Sequence, residues 1–233
     1  MSKPINDQLT LGVMLRDEAN FDNFYVSADN AVCVQAVSDP DVSNHLTYVW
    51  GPPASGRSHL LQALCSRQAQ QGNTVMYLPL REKAKINPAM LEGIESLSLV
   101  CLDDVDSIGG HDAWESALFS LYNSLLETDT RLLITANRAP QQLSLTLADL
   151  RSRLQSGAVF KLFPLNDDDK RSLLCLRATN RGLDLSDSVA EYIVRRADRS
   201  PHKLMAVMDD LDYQSLQKGR ALTVPFVREV MGW

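Results

Sequence analysis

The sequence predicts a three-layer α/β domain with a parallel sheet up to about residue 165, followed by a small all-helical domain. Three observations support this fold class. Short β-rich segments alternate with longer helical segments between residues 47 and 165, a glycine-containing turn follows the first strand, and the β signal disappears after Pro164. Strands that alternate with helices indicate a parallel sheet covered by helices on both faces.

Five segments are predicted to be strands because they are short, apolar and bounded by polar or turn residues. In chain order they are Thr47–Trp50, Thr74–Leu78, Leu99–Leu102, Leu132–Thr135 and Val159–Leu162. Two helices are predicted between them. Ser58–Gln70 follows the glycine-containing turn, and Gly72 is placed to end it. The helix from about Ala113 to Leu126 carries its large apolar residues on one stripe.

The region after Pro164 predicts four helices. Asn166 is placed to cap the first, whose first turn holds three aspartates at the positive end of the helix dipole. Ser186 is predicted to cap the second, and Ser200 the third, with Pro201 at the favoured first position. A short fourth helix begins near Pro225. We therefore divide the chain into a tail (1–19), an α/β core (20–165) and a helical domain (166–233).

The composition disfavours several classes of protein. A chain of 233 residues suffices for one core domain and a small appended one. No apolar run reaches the 18 or so residues of a membrane span, and the N-terminus lacks the apolar region of a secretory signal, so we expect a cytoplasmic protein. Its four cysteines are widely spaced, and Cys65 and Cys101, inside apolar runs, are predicted to be reduced core residues. The net charge of −6 favours a protein that binds other proteins over one whose main role is to bind duplex DNA.

A phosphate-binding loop is predicted after the first strand. The segment GPPASGRS fits the P-loop pattern GxxxxGK[ST], with Arg57 in place of the usual lysine. Backbone N–H groups of such a loop and the following helix N-terminus surround phosphates, and Ser58 is placed to coordinate Mg²⁺. A glycine- and proline-containing turn without a ligand is the alternative. The nucleotide-binding residues predicted here are Gly51, Pro52, Pro53, Ala54, Ser55, Gly56, Arg57, Ser58 and His59.

Two adjacent carboxylates follow the third predicted strand. Asp103 and Asp104 occupy the place of a Walker B element, about 45 residues after the loop. Asp103 is expected to hold the Mg²⁺ shell, and Asp104 to orient the attacking water. Taken alone, two acids after a strand are also typical of a solvated loop. Both motifs in this order, each at a strand end, favour a nucleotide site.

A polar residue follows the fourth predicted strand. Asn137 matches the sensor 1 position of AAA+ proteins and is expected to hydrogen-bond a γ-phosphate or the attacking water. A turn residue before Pro140 is the alternative interpretation.

Two further segments resemble the DnaA family of bacterial replication initiators. NFDNFYV, residues 20–26, is similar to the segment leading into that family's adenine pocket, which implies nucleotide contacts for Phe24 and Tyr25. LRSRL, residues 150–154, resembles its box VII, whose second arginine, here Arg153, acts as an arginine finger on a neighbouring subunit. The resemblance covers residues 20–231 and implies an AAA+ P-loop three-layer domain with a parallel sheet, followed by a small all-helical lid domain.

The resemblance is strongest to DnaA-related regulators that lack the initiators' DNA-binding domain. The tail segment DQLTL, residues 7–11, is similar to peptides that dock on the replicative sliding clamp. There Gln8, Leu9 and Leu11 would fill a preformed apolar pocket. A polar tail with two leucines is the alternative, and Gly12 leaves the clamp affinity open, since clamp peptides often continue with bulkier apolar residues.

These resemblances imply a nucleotide-bound regulator of the initiator. Docked on the DNA-loaded clamp of DNA polymerase III, it would touch DNA only indirectly and present Arg153 to the ATP bound by DnaA, so that hydrolysis prevents re-initiation. The implied cofactors are ADP or ATP with Mg²⁺. His202 takes the place of the family's sensor 2 arginine, with Lys203 as the alternative cation. With Arg57 and Asp104, this substitution predicts a site that holds nucleotide and hydrolyses it poorly.

Two other functions and one property stay open from the sequence. A DNA-binding AAA+ loader or initiator paralogue would need a basic surface facing DNA. A self-contained NTP hydrolase would need turnover that depends on Asp104. Whether nucleotide controls assembly of a homo-oligomer also stays open.

Overall fold

The computed structural model describes residues 19–39, 45–198 and 200–233. Five parallel strands form one sheet in the order β2-β3-β4-β1-β5. The strands are β1 Leu46–Trp50, β2 Val75–Pro79, β3 Leu99–Asp103, β4 Arg131–Ala136 and β5 Ala158–Lys161. The predicted parallel α/β domain is thus confirmed. The clamp-peptide residues Gln8, Leu9 and Leu11 lie outside the described residues.

Among the residues that the structure describes, four α-helices flank the sheet and four more form the lid. The core helices are α1 Ala31–Ser38, α2 Arg57–Gln70, α3 Asp112–Leu125 and α4 Ala148–Ser156. The lid helices are α5 Asp167–Asn180, α6 Asp187–Arg196, α7 Pro201–Lys218 and α8 Val224–Met231. The sequence did not predict α1 and α4. Among the described residues, no helix is both long and apolar enough for a membrane span.

Both faces of the sheet are buried, as in parallel sheets flanked by helices. Successive strand residues point to opposite faces. Tyr48 and Leu102 pack with the apolar residues of α3 and α4. Val49 and Cys101 pack on the other face against the buried leucines of α2. The sheet is therefore the middle of three layers.

The lid has an apolar core of its own, built from the inward stripes of α5 to α8. Its helix starts follow the predicted caps. The Asn166 side chain accepts a hydrogen bond from Asp169 N at 2.8 Å, and the Asp169 carboxylate accepts one from Asn166 N at 3.2 Å, which forms a capping box. Ser200 accepts from Lys203 N at 3.4 Å at the start of α7. Ser186 is the N-cap of α6 but its side chain makes no capping hydrogen bond.

The strand register brings the chemically important segments to one edge of the sheet. Trp50 at the end of β1 pairs with Ala136, and Asp103 at the end of β3 pairs with Pro79. The residues that follow β1, β2, β3 and β4 therefore leave the sheet side by side. In parallel α/β folds, ligands bind outside the carboxyl ends of the strands.

Candidate functional site

The loop between β1 and α2 is packed so closely that it needs its glycines. A Cβ atom on Gly51 would lie 2.2 Å from the carbonyl oxygen of Leu162, so no side chain fits there. Gly56 has a φ of 97°, in the left-handed region that favours glycine, and it is the N-cap of α2. The loop thus delivers the chain directly to a helix N-terminus, where backbone N–H groups favour anions.

A cavity of about 650 Å³ lies between this loop, the ends of β2 and β3, and lid helices α5 and α7. Its volume is in the range of small-molecule sites. The predicted residues that line it are Pro53, Ala54, Ser55, Gly56, Arg57, Ser58, His59, Asp103, Asp104 and His202. The lid contributes apolar and cationic side chains, among them Leu173, Arg177 and Met205.

Asp103 is a buried carboxylate fixed by two hydroxyl groups. The phenol of Tyr77 on β2 donates to it at 2.8 Å, and the hydroxyl of Thr135 on β4 donates to its other oxygen. Burial raises the pKa of Tyr77, and the charge of Asp103 raises it further, so this phenol stays a hydrogen-bond donor. Asp103 is therefore held at the floor of the cavity.

Asp104 is clamped between two arginines. Its Oδ1 lies 2.7 Å from Nη2 of Arg57 and its Oδ2 lies 2.6 Å from Nε of Arg81, while Asp104 itself is only 5% exposed. Burial raises the pKa of Asp104 and the charge of Asp103 adds to this, whereas the two arginines act in the opposite direction. Both carboxylate oxygens are thus occupied by guanidinium groups.

Arg57 occupies the position of the P-loop lysine. Its Nη1 donates to the carbonyl oxygen of Pro52 at 2.9 Å and also to that of Gly51, and the residue is 6% exposed. Its Nε is buried and makes no hydrogen bond to any described residue. The hydroxyl of Ser55, in the same loop, is buried and equally unpartnered among the described residues.

These features fit a bound phosphate group. The Ser55 hydroxyl and Arg57 Nε, both in the loop segment, are buried and have no partner among the described residues, and buried polar groups in proteins normally find partners. Ser58 and Asp103 line the same cavity and carry the oxygen atoms that a divalent ion such as Mg²⁺ prefers as ligands. The backbone of Ala54 and Asp104 also has positive φ, 63° and 57°, a strained state that clusters at functional sites.

Five of the predicted nucleotide-site residues do not line the cavity. Phe24 packs against the loop, with its ring 5.2 Å from that of His59. The Tyr25 hydroxyl lies 3.5 Å from Asp169. Asn137 donates its backbone N–H to Asp106 at 2.8 Å, and its buried Oδ1 accepts no hydrogen bond from the described residues. The other two are Gly51 and Pro52, at the start of the loop.

Residues that the sequence analysis did not select also lie at this site. Asn23, within the segment 20–26, and Ala19, just before it, line the cavity. Thr135, two residues before Asn137, contacts Asp103 directly. A single polar residue inside an apolar strand was the available signal for Thr135, whereas nothing local marks Arg81 or Tyr77.

Arg153 lies on α4, away from the cavity, with its side chain exposed. Its guanidinium carbon is 5.7 Å from the centroid of the Tyr122 ring of α3. Arg153 forms no ion pair with any described residue, while its neighbour Leu154 is fully buried. Helix α4 therefore packs against the core through its apolar face, and the guanidinium of Arg153 lies on the surface.

Comparison with known proteins gives two family matches. The family model of the bacterial DnaA ATPase domain matches residues 15–161, and the model described as the Hda lid domain matches residues 167–231. Together they span both parts of the chain.

Solved structures share the fold. Domain III of the Thermotoga maritima replication initiation protein DnaA aligns with a TM-score of 0.77 at 21% identity, over 94% of this chain and 98% of that one. AMPPCP-bound DnaA from Aquifex aeolicus aligns with a TM-score of 0.70 at 20% identity, over 84% and 65%. The Thermotoga maritima RuvB Holliday junction branch migration motor aligns with a TM-score of 0.67 at 15% identity, over 92% and 71%.

Proposed function

Because this chain belongs to the bacterial DnaA ATPase family and its C-terminal helices match the Hda lid domain, we propose that it is a nucleotide-bound regulator that stimulates ATP hydrolysis by the initiator DnaA. The family match supports an AAA+ nucleotide-binding protein of DNA replication. The proposal goes further and assigns the direction of the regulation, from this chain to the ATP of its partner.

The main support for this proposal is the exposed guanidinium of Arg153. An arginine that reaches a partner's γ-phosphate stabilises charge that develops in the transition state. Such a residue must be exposed in the free protein and must not be tied to a carboxylate of its own chain. Arg153 meets both conditions within the described residues. Leu150 and Leu154 are buried and hold α4 against the core, and this fixes the direction in which the Arg153 side chain projects.

The cavity supports a role for nucleotide in this chain that does not require turnover. Adenine nucleotide with Mg²⁺ would place its phosphates against the Gly51–Ser58 loop, with Ser58 and Asp103 on the ion and His202 on the lid side. Asp104 is one methylene shorter than the glutamate usual at this position, and His202 stands in place of the sensor 2 arginine, so the attacking water would be poorly oriented. The chain's own hydrolysis should be weak for this reason, which disfavours a self-contained NTP hydrolase.

We further propose that the segment containing Gln8, Leu9 and Leu11 docks on the sliding clamp of DNA polymerase III. The support is its similarity to clamp-binding peptides, and these residues lie outside the described structure. Tethering to a DNA-loaded clamp would raise the local concentration of Arg153 near the initiator. Regulation would then follow clamp loading, and DNA would be contacted only through the clamp, in keeping with the net charge of −6.

Reconstituted hydrolysis tests the proposal. Wild type, clamp and DNA together should accelerate hydrolysis of ATP bound to DnaA, and Arg153→Ala should lower the accelerated rate about 10³-fold or to the unstimulated level, as for other arginine fingers. Arg151→Ala, on the same helix, is the matched control and should keep full stimulation. Full stimulation by Arg153→Ala would refute the finger assignment.

The same assay separates clamp docking from the finger. Omitting the clamp, or using Gln8→Ala/Leu11→Ala, should lower stimulation at low protein concentration, and a large excess of the variant should restore it, because tethering acts through local concentration. If the variant stimulated hydrolysis as strongly as wild type at every concentration, clamp docking through this segment would be ruled out. Tight, salt-sensitive binding of the isolated chain to DNA would instead favour a loader or initiator paralogue.

A further inference from the structure

Two arginines, Arg57 and Arg81, flank the carboxylate of Asp104. Asp104 accepts a hydrogen bond from Arg57 on one oxygen at 2.7 Å, and its other oxygen forms an ion pair with Arg81 at 2.6 Å. Arg57 comes from the phosphate loop and Arg81 from the turn after β2, so the two guanidiniums converge on a single carboxylate from opposite sides. Arg57, Arg81 and Asp104 all line the 650 Å³ cavity.

The two arginines differ in exposure. The side chain of Arg57 is 6% exposed, whereas that of Arg81 is 59% exposed. Arg81 therefore belongs to the cavity rim and is free to reorient at little desolvation cost. Arg57 has a buried Nε without an acceptor among the described residues, which is an independent sign that an acceptor is missing from this site.

A carboxylate and a phosphate present the same acceptor geometry to a guanidinium, and arginine binds both in a bidentate manner. Asp104 is thus an anion of the chain itself that pairs with both Arg57 and Arg81 beside the phosphate loop. A nucleotide phosphate that enters the loop must compete with Asp104 for Arg57, the residue that reaches the terminal phosphates in this motif.

We propose that Arg81 is a phosphate-binding residue of the nucleotide site and that Asp104 competes with the nucleotide for Arg81 and Arg57. The proposal rests on the nucleotide site proposed above and assigns a different role to Asp104. Its carboxylate holds the two cations in place while no phosphate is bound, and releases them as the phosphates arrive. Arg81 has no counterpart among the residues that the sequence motifs select.

The competition predicts that removal of the carboxylate charge strengthens nucleotide binding. Asp104→Asn keeps the size of the side chain and one oxygen acceptor. We expect it to bind ADP and ATP more tightly, by about tenfold, within the usual range of coupling between binding events. The gain should be larger for ATP because its γ-phosphate adds charge where Arg57 reaches. Titration calorimetry at fixed salt measures both affinities.

A matched control separates this specific competition from a general change of charge. Glu82 also lines the cavity, but its carboxylate forms an ion pair with Lys85 at 3.1 Å and none with Arg57 or Arg81 among the described residues. Glu82→Gln removes the same charge and should change the affinity less than twofold. Arg81→Gln should weaken binding, and more strongly in the Asp104→Asn background, where Arg81 is available to the phosphates.

The outcomes are distinct. Tighter binding by Asp104→Asn with an unchanged Glu82→Gln supports the inference, even if the wild type binds too weakly to measure. Normal binding by wild type with equal or weaker binding by Asp104→Asn overturns the inference alone, and so does an equal gain in Glu82→Gln. Absence of binding in every variant overturns the nucleotide site as well. Thermal unfolding without nucleotide confirms that each variant is folded.

Discussion

Glu115 shows how a single buried carboxylate joins three segments of the core. It is 1% exposed and lies in the first turn of α3. Its oxygens accept hydrogen bonds from the backbone N–H groups of Gly110 and Leu147, each at 2.8 Å, and of Thr146 at 3.2 Å. Leu147 is the N-cap of α4, and its side chain makes no capping hydrogen bond. In a capping box, a carboxylate of the same helix accepts the N–H of the N-cap residue; here Glu115 of α3 accepts it instead.

The pKa of Glu115 makes this role measurable. Burial acts to raise its pKa, but the three backbone hydrogen bonds outweigh burial and lower the pKa below the ordinary value for glutamate. A lowered folded-state pKa means that the stabilisation is complete above the ordinary pKa and is lost as the pH falls through the folded value. The contribution of Glu115 is therefore present at neutral pH and disappears in acid.

We expect Glu115→Gln to reduce the free energy of unfolding by about 2 kcal/mol at neutral pH, because an amide offers one acceptor and forces a donor against backbone N–H groups. Urea unfolding of wild type and variant, at neutral pH and again at a pH below the lowered folded-state pKa of Glu115, measures the difference. The two proteins should converge in acid. A gap that is independent of pH would show that the charge of Glu115 is not what stabilises the α3–α4 junction.

At the scale of elements, the sequence predicted those whose signals are local. The strands agree within one or two residues, and α2 ends with a Schellman pattern, in which Gly72 N–H bonds to Ala69 O and Asn73 N–H to Gln68 O, both at 3.0 Å. Helix α4 was missed because its cap is Glu115, 32 residues away from Leu147 in sequence. Helix α1 was missed because its AVCVQAVS sequence is rich in β-branched valine.

Long-range contacts also explain which parts of the site escaped prediction. The P-loop and the two acids are contiguous motifs and could be read directly. The ion pair of Arg81 with Asp104 and the hydrogen bond from Tyr77 to Asp103 depend on β2 lying beside β3. The hydrogen bond from Thr135 to Asp103 depends on β4 lying on the other side of β3. No single segment of sequence contains this information. Likewise, the ring of Phe24 packs against Gly56, more than 30 residues away in sequence.

The start of the first lid helix gives an element-scale prediction. Asn166 and Asp169 form a reciprocal capping box at the N-terminus of α5, the helix that brings Leu173 and Arg177 to the cavity. Asn166→Ala should reduce the free energy of unfolding by about 1 kcal/mol, the usual value of such a cap, whereas Asn166→Asp should be neutral. Chemical unfolding measures both. Equal loss in the two variants would point to a role of the amide outside the cap.

At the scale of the whole molecule, two separate apolar cores meet at one cavity. The sheet core positions the phosphate loop and the acids, and the lid core positions α5 and α7 over them. Ligands between two such units hold them together, so nucleotide should stabilise the folded chain by mass action. The surface that carries Arg153 belongs to the sheet core, at a distance from the lid contacts. This arrangement suits a protein whose own nucleotide is structural and whose arginine works on another molecule.

The most direct test follows the fate of labelled ATP. DnaA is loaded with labelled ATP, and this chain is loaded separately with unlabelled ADP, before both are mixed with clamp and DNA. The account predicts rapid release of labelled phosphate, at the same rate for Asp104→Ala and at the unstimulated rate for Arg153→Ala. Stimulation that requires ATP in this chain and is lost with Asp104→Ala would contradict it, because the hydrolysis that matters would then be this protein's own.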